Sequence, residues 1–311
     1  MSNNPHTPVR IVICGPTACG KTHIGVELAD ALGAEILSAD SRQVYRGMDI
    51  GTGKDLAEYG STPFHLIDIV DAGYRYNLYE YLRDYRKAED DVIARRRLPL
   101  VIGGTGLYVE SICKNICLPE VPADPQLRDN LADKSLEELT QILAAMKTLH
   151  NTTDVDTTKR AIRAIEIERY YIAHPEAALQ TKGNPSGIRS LIFCVSIDRD
   201  TRRKRISKRL NERLEQGMLD EARTLLDRGV TLDTLMYYGL EYKYMALHLS
   251  GQITYDEMVK QLETAIHQFA KRQMTWFRGM ERRGFTLHPL PYDMPADQIL
   301  EYVTSLYRTM S

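Results

Sequence analysis

One stretch near the start constrains the fold more than any other. Ile11-Val12-Ile13-Cys14 is a short apolar run, suited to a buried strand, and it stops at a glycine. Gly15-Pro16-Thr17-Ala18-Cys19-Gly20-Lys21-Thr22 then matches G-x-x-x-x-G-K-[ST] at every fixed position, and Ile24, Leu28 and Leu32 follow at helical spacing. Strand, glycine-rich loop and helix, in that order, form the frame a phosphate-binding loop requires. Its backbone N–H groups can converge on phosphate oxygens. Lys21 adds a positive charge, and the Thr22 hydroxyl suits Mg²⁺. The expectation is an α/β fold of the P-loop NTPase type, a parallel sheet flanked by helices. Taken alone, the loop predicts nucleotide binding, ATP first. The bland alternative is a glycine-rich turn with an exposed lysine.

The chain of 311 residues is long enough for one large domain and a smaller one. Charged residues make up 26% and hydrophobic residues 43%, as in ordinary soluble globular proteins. The longest apolar runs fall far short of a membrane span. Met1 to Pro8 is polar, has no signal-segment pattern and reads as a frayed tail. These features predict a cytoplasmic protein with no membrane partner. The five cysteines are scattered, and Cys113 and Cys117 lack a zinc-type spacing, which predicts reduced thiols. A net charge of −2 makes no global demand for nucleic acid, so any such surface must be local.

Glu35 to Ser38 reads as a second strand ending at Ala39-Asp40-Ser41. An Asp just past a strand's C-terminal end faces the ligand crevice of a doubly wound fold. Asp40 is therefore a general base, a Mg²⁺-associated carboxylate or a turn residue. Gly47 to Lys54 reads as a glycine-rich loop over the site. Phe64 to Val70 is compatible with a strand interrupted by Asp68. Tyr79 to Arg97 is an amphipathic helix whose basic end suits a C-terminus. Leu98 to Ile102 is another buried strand, running into Gly103-Gly104-Thr105-Gly106. Thr105 there is an N-cap or a second edge of the pocket.

Pro119, Pro122 and Pro125 mark a change of texture. Ser135 with Glu138 forms a capping box opening a helix to about Met146. A polar turn from Asn151 to Asp156 precedes a helix from Thr157 to Ala173, and Gly183, Pro185 and Gly187 close the segment. The predicted division is a core over 1–118, a helical insertion over 119–187 and the rest of the core over 188–311. In the insertion, Lys159, Arg160 and Arg163 share a helix face that can be simply solvated.

Ser190 to Ile197 returns to the sheet. Thr201 to Gly217 is a strongly basic helix with Ile206, Leu210, Leu214 and Met218 as its apolar stripe. After a strand ending in Asp198, it reads as a lid or phosphate clamp. Tyrosines cluster around Gly239, suited to stacking on bases or to a core. Tyr255 to Met280 is a long helix with Val259, Leu262, Ile266, Phe269, Trp276 and Phe277 as its apolar side and a basic end. A short strand or loop and a closing helix follow from His288. Basic elements concentrated in the second half of a net-acidic chain suggest a phosphate contact surface for nucleic acid.

The motif set resembles the tRNA dimethylallyltransferases, also called isopentenyl-tRNA transferases. The resemblance rests on Gly15 to Thr22, Ser38 to Tyr45, Gly47 to Lys54, His65 to Ile69, Gly103 to Tyr108, Lys159 to Glu166 and Lys271 to Arg278, in family order across roughly residues 9 to 285. The run from Ser38 to Lys54 is far more specific than the phosphate loop alone. The resemblance implies transfer of a dimethylallyl group from dimethylallyl diphosphate to N6 of the adenosine at position 37 of tRNA, in the anticodon stem-loop. It implies a Mg²⁺-dependent enzyme with a P-loop core and a helical insertion, and no obligate protein partner is evident in the sequence, which is compatible with a monomer. By the resemblance Asp40 is the base, with Thr105 and Arg209 bracketing the reacting channel. Gly15, Pro16, Thr17, Ala18, Cys19, Gly20, Lys21 and Thr22 hold the diphosphate, and Thr22 holds the metal. The implied tRNA contacts are Asp40, Ser41, Arg42, Gln43, Arg128, Lys159, Arg160, Arg163, Tyr238, Gly239, Lys271, Arg272, Gln273 and Arg278. One departure stands at Gly239-Leu240-Glu241, where the family usually has a tyrosine and a basic or polar residue after the glycine. A P-loop small-molecule kinase and a non-enzymatic P-loop RNA-binding module are the alternatives. The first leaves the basic C-terminal helix without a task, and the second leaves Asp40 idle.

Overall fold

The computed structural model describes residues 8–149, 153–184 and 187–310. The tail over Met1–Thr7, the start of the polar turn at Asn151 and Thr152, and Pro185 lie outside the described residues. The chain divides into two compact units, one of residues 1–113 and 186–311, the other Lys114–Pro185.

In the larger unit, β1 (Val9–Cys14) is buried along its whole length and leads through the phosphate loop into α1 (Lys21–Leu32). Next come β2 (Ala34–Ser38), β3 (Tyr45–Arg46), β4 (Phe64–His65) and β5 (Val70–Asp71). Then follow α2 (Leu78–Ala94), β6 (Leu98–Gly103) and α3 (Gly106–Cys113). The smaller unit holds α4 (Pro125–Leu131), α5 (Leu136–Met146), α6 (Thr158–Ala173) and α7 (Pro175–Gln180). The chain returns with β7 (Arg189–Ser196), α8 (Arg199–Glu215), α9 (Met218–Asp227), α10 (Leu232–Tyr237) and α11 (Leu240–Leu249). It closes with α12 (Tyr255–Arg282), β8 (Leu287–Pro291) and α13 (Ala296–Met310).

Six strands form one parallel sheet in the order β4-β2-β6-β1-β7-β8. Parallel strands covered on both faces read as continuous apolar runs, which is why β1, β2 and β6 are so legible. The phosphate-loop strand lies between β6 and β7, so the ends of β1, β2 and β6 open onto one crevice. Ile11, Ile13, Leu100, Leu191 and Phe193 meet Ile24 and Leu28 of α1 in the core. The smaller unit packs Leu127, Leu131, Leu139, Leu143, Ala161 and Ile165 around a core of its own.

Three expectations need correction. Phe64 to Val70 is not one strand. Phe64–His65 pairs with Ile36–Leu37, whereas Val70 pairs with Tyr45 in a separate two-stranded sheet. Between them Leu66 and Asp68 take left-handed backbone (φ 67° and 55°), which turns Asp68 onto the buried Lys54 ammonium. The basic helix starts at Arg199, because Asp198 accepts hydrogen bonds from the Asp200 and Thr201 N–H groups as an N-cap. It ends at Glu215, so Met218 belongs to the next helix. Among the described residues no helix is long and apolar enough to cross a membrane. The five cysteines are free.

Candidate active site

The phosphate loop is held from the side by a residue far away in sequence. Gln273 on α12 accepts the Thr17 N–H at 2.9 Å and donates to the Gly104 carbonyl at 2.8 Å. One amide thus ties the Gly15–Thr22 loop to the Gly103–Gly106 loop. Ala18 sits in left-handed backbone (φ 60°), a conformation an alanine adopts only when its surroundings impose it. The Lys21 ammonium folds back to within 3.4 Å of the Pro16 carbonyl.

Asp40 and Thr105 arrive on neighbouring strand ends. The Ala39 N–H bonds Ile102 O at 2.7 Å, and the Thr105 N–H bonds Ala39 O at 3.2 Å. Asp40 accepts the Arg42 N–H at 2.9 Å, and Thr105 Oγ1 accepts the Ser41 N–H at 3.0 Å. The Thr105 hydroxyl therefore bridges the two loops and is not the side-chain cap of α3. Gly106 has no room for a side chain, since a Cβ there would lie 2.4 Å from the Trp276 ring.

These elements enclose a cavity of about 460 Å³ lined by Lys21, Thr22, Asp40, Thr105, Arg209 and Arg213, with Phe269 and Trp276 among its aromatic walls. A second cavity of about 520 Å³ shares Lys21, Thr22, Arg209 and Arg213, and adds His23, Arg205 and Lys208. Phosphate-loop residues thus stand in the walls of both, one aromatic and one basic. Arg205, Arg209 and Arg213 form an i, i+4, i+8 stripe on α8 that runs along this boundary. Burial, and then the neighbouring Arg209, disfavour the charged form of Arg213, which makes an anion at that point more favourable. Burial likewise pushes the Glu241 carboxyl up.

The donor chemistry fits Mg²⁺ brought in by a polyphosphate. Thr22 and Asp40 supply oxygens to the same cavity, and among the described residues no group of three or more His, Cys, Asp or Glu could cage a metal without help.

A family model described as IPP transferase matches residues 43–280, and one described as isopentenyl transferase matches residues 9–62. The chain belongs to the IPP transferase family. It is 57% identical over 301 residues to tRNA dimethylallyltransferase 1 of Porphyromonas gingivalis, covering 96% of this chain and 98% of that protein. It is 56% identical over 297 residues to tRNA dimethylallyltransferase 2 of Bacteroides fragilis, covering 94% and 96%. The solved tRNA isopentenylpyrophosphate transferase of Bacillus halodurans superposes with a TM-score of 0.71 at 30% identity, over 98% of this chain and 96% of that one. A eukaryotic dimethylallyltransferase acting on tRNA shares the fold, with a TM-score of 0.80 at 20% identity, over 97% and 80%.

Several of the residues expected to touch RNA are held by bonds within the chain. Gln273 is buried, and both ends of its amide are engaged by the two loops. Gln43 is buried too, accepting from Ser38 Oγ and donating to Gly53 O. Tyr238 is only 1% exposed, and its hydroxyl bonds the backbone of Gly73 and Tyr74. All three stand in the cavity wall. Tyr237 is the exposed neighbour, with the guanidiniums of Arg42 and Arg75 over its ring at 5.7 and 5.2 Å. Gly239 lines the cavity beside Arg42. Lys271, Arg272 and Arg278 are exposed on α12.

In the smaller unit Glu166 gathers Arg128, Arg163 and the Asp124 N–H around one buried carboxylate. Arg160 pairs with Asp156, and Lys159 is exposed. Phe269 and Trp276, expected in the core, are 38% and 39% exposed and line the cavity. Sequence reasoning does not single out Arg205 and Arg213, although their spacing from Arg209 is there to be read.

Proposed function

We propose that this enzyme transfers the dimethylallyl group of dimethylallyl diphosphate to N6 of the adenosine at position 37 of tRNA, releasing diphosphate. One observation carries the reading. Asp40, Thr105, Lys21, Thr22 and Arg209 line a single cavity that has aromatic walls and adjoins a basic one. The adenine is extruded into the aromatic cavity, at a cost of about a few kcal/mol in lost stacking. Phe269 and Trp276 offer it apolar surface. The diphosphate lies on the backbone amides of the phosphate loop, with Lys21 and Arg209 beside it.

The N6 lone pair forms the new bond to C1 of the dimethylallyl group as the bond from C1 to the diphosphate oxygen breaks. The N6 proton passes to the Asp40 carboxylate, and the electron pair of the broken bond leaves on diphosphate. An exocyclic amine is a poor nucleophile, so a positioned carboxylate contributes about 10²- to 10⁴-fold. Preorganised donors at the leaving oxygens supply charge stabilisation without reorganisation at the moment of reaction. When bound, Mg²⁺ would be held by Thr22 and the diphosphate and would neutralise charge on the leaving group. The exposed Lys271, Arg272 and Arg278 provide phosphate contacts for the anticodon stem-loop. The chain acts as a monomer in this scheme.

The test is incubation of unmodified tRNA with dimethylallyl diphosphate and Mg²⁺, followed by mass spectrometry of the nucleosides. N6-isopentenyladenosine is the expected product. No product, together with ATP turnover on a small metabolite, would overturn the reading in favour of a kinase.

A further inference from the structure

The loop Gly47–Lys54 reads from its sequence as a glycine-rich loop over the site, and the structure fills it with an anion from the chain itself. The Asp49 and Ile50 N–H groups donate to Glu221 Oε2 at 2.7 and 2.8 Å, and the Gly51 N–H donates to Glu221 Oε1 at 2.9 Å. Three successive amides converging on one anion make a backbone nest, the device phosphate loops use. The buried Tyr242 hydroxyl donates to the same carboxylate. At its far end the loop is pinned by the buried Lys54 ammonium, which donates to Tyr45 O and Asp49 Oδ1, both at 2.6 Å. Between these anchors lie Gly51, Thr52 and Gly53, all in the cavity wall. The Gly53 carbonyl accepts from Arg209 at 3.4 Å, and Arg209 also pairs with Asp55 just beyond the loop. Gly53 is left-handed (φ 61°), and a Cβ there would lie 1.5 Å from the Arg213 guanidinium.

We propose that Glu221 is a positioning residue: its carboxylate fills the nest of the 47–54 loop and so holds the seat on which Arg209 and Arg213 rest beside the phosphate loop. Glu221 does not line the cavity itself and acts through the loop. The proposal rests on the transfer reaction above, and its test carries a readout that does not depend on that reaction. Misplacing a charge-stabilising group by about 1 Å costs on the order of a hundredfold in rate.

Glu221→Ala and the isosteric Glu221→Gln are compared with wild type in tRNA prenylation, with kcat and KM for each substrate measured separately. In parallel, hydrogen exchange reads the amides of residues 49–51, and thermal unfolding reports the folded fraction. Both variants are expected to lose kcat by on the order of ten- to a hundredfold, with the KM for tRNA within about twofold and the three amides exchanging faster. Formate is expected to restore part of the Glu221→Ala rate and the amide protection, and chloride at equal ionic strength to restore neither. Unchanged kcat in both variants overturns the proposal. So does a loss explained wholly by unfolding, or by the KM for tRNA, without formate rescue. Should wild type itself form no product, the function reading fails instead, while the exchange data still decide whether Glu221 holds the loop.

Discussion

Asp40 sits in an Asx turn at the end of β2, its Oδ1 accepting the Arg42 N–H at 2.9 Å, which fixes the carboxyl at the cavity wall. A turn role and a base role are therefore compatible in one residue, and only kinetics separates them. Asp40→Ala is expected to lower kcat by about 10²- to 10⁴-fold while tRNA affinity, measured by filter binding, changes little. An unchanged kcat would remove Asp40 as the base. At this scale the sequence is informative where local pattern and chemistry coincide. The phosphate loop and Asp40 lie at strand ends that apolar runs make visible. Gln273 is not legible as a brace, because its partners Thr17 and Gly104 are joined to it only by the folded topology. Tyr238 is equally ambiguous, since a tyrosine's ring and hydroxyl serve a core as readily as a base stack; the fold buries it in the cavity wall with its hydroxyl on the Gly73 and Tyr74 backbone.

At the scale of elements, α12 carries three jobs on three faces. Leu262, Ile266, Ala270 and Phe277 are buried. Phe269, Arg272, Gln273 and Trp276 line the cavity, and Lys271, Arg272 and Arg278 are exposed to solvent, so Arg272 belongs to both of these faces. Apolar periodicity correctly marks the helix but merges its first two faces. It cannot distinguish a core from a ligand cavity whose opposite wall comes from distant loops. The exposed basic face is where the proposed function puts tRNA phosphates. The double charge reversal Arg272→Glu with Arg278→Glu is expected to weaken tRNA binding about tenfold or more. It should also reduce the slope of log affinity against log salt by about 1 for each tRNA phosphate that is no longer neutralised. A rise confined to the KM for dimethylallyl diphosphate would assign this face to the donor instead. In α8 the arginine stripe 205-209-213 is present in the sequence, but eight basic residues on one helix hide which three share a cavity wall. Helical spacing defines a stripe, and only the cavity walls say which stripe faces the loop.

At the scale of the whole molecule, the two compact units differ in what holds them together. The larger unit is built on a six-stranded parallel sheet, whereas the smaller one has a modest core over which Glu166 joins α4 to α6. Burial alone would push the Glu166 carboxyl up. Hydrogen bonds from Arg128, the Asp124 N–H and Arg163 outweigh it and bring it down to about 2. A carboxyl depressed in the folded state contributes stability that is fully present above its unfolded value, near 4.5, and is lost as pH falls through about 2. Acid should therefore loosen the smaller unit between these limits. Glu166→Gln is expected to destabilise that unit at neutral pH by about 2 kcal/mol, because both arginines lose a charged acceptor and the buried amide cannot satisfy all three donors. The difference should shrink as wild type is titrated toward pH 2 and its own carboxyl becomes neutral. Hydrogen exchange of the α4 and α6 amides across this range reads the effect within the unit. A wild-type to variant difference that stays constant with pH would mean that Glu166 acts through shape alone, and that its charge does not hold Arg128 and Arg163 in place.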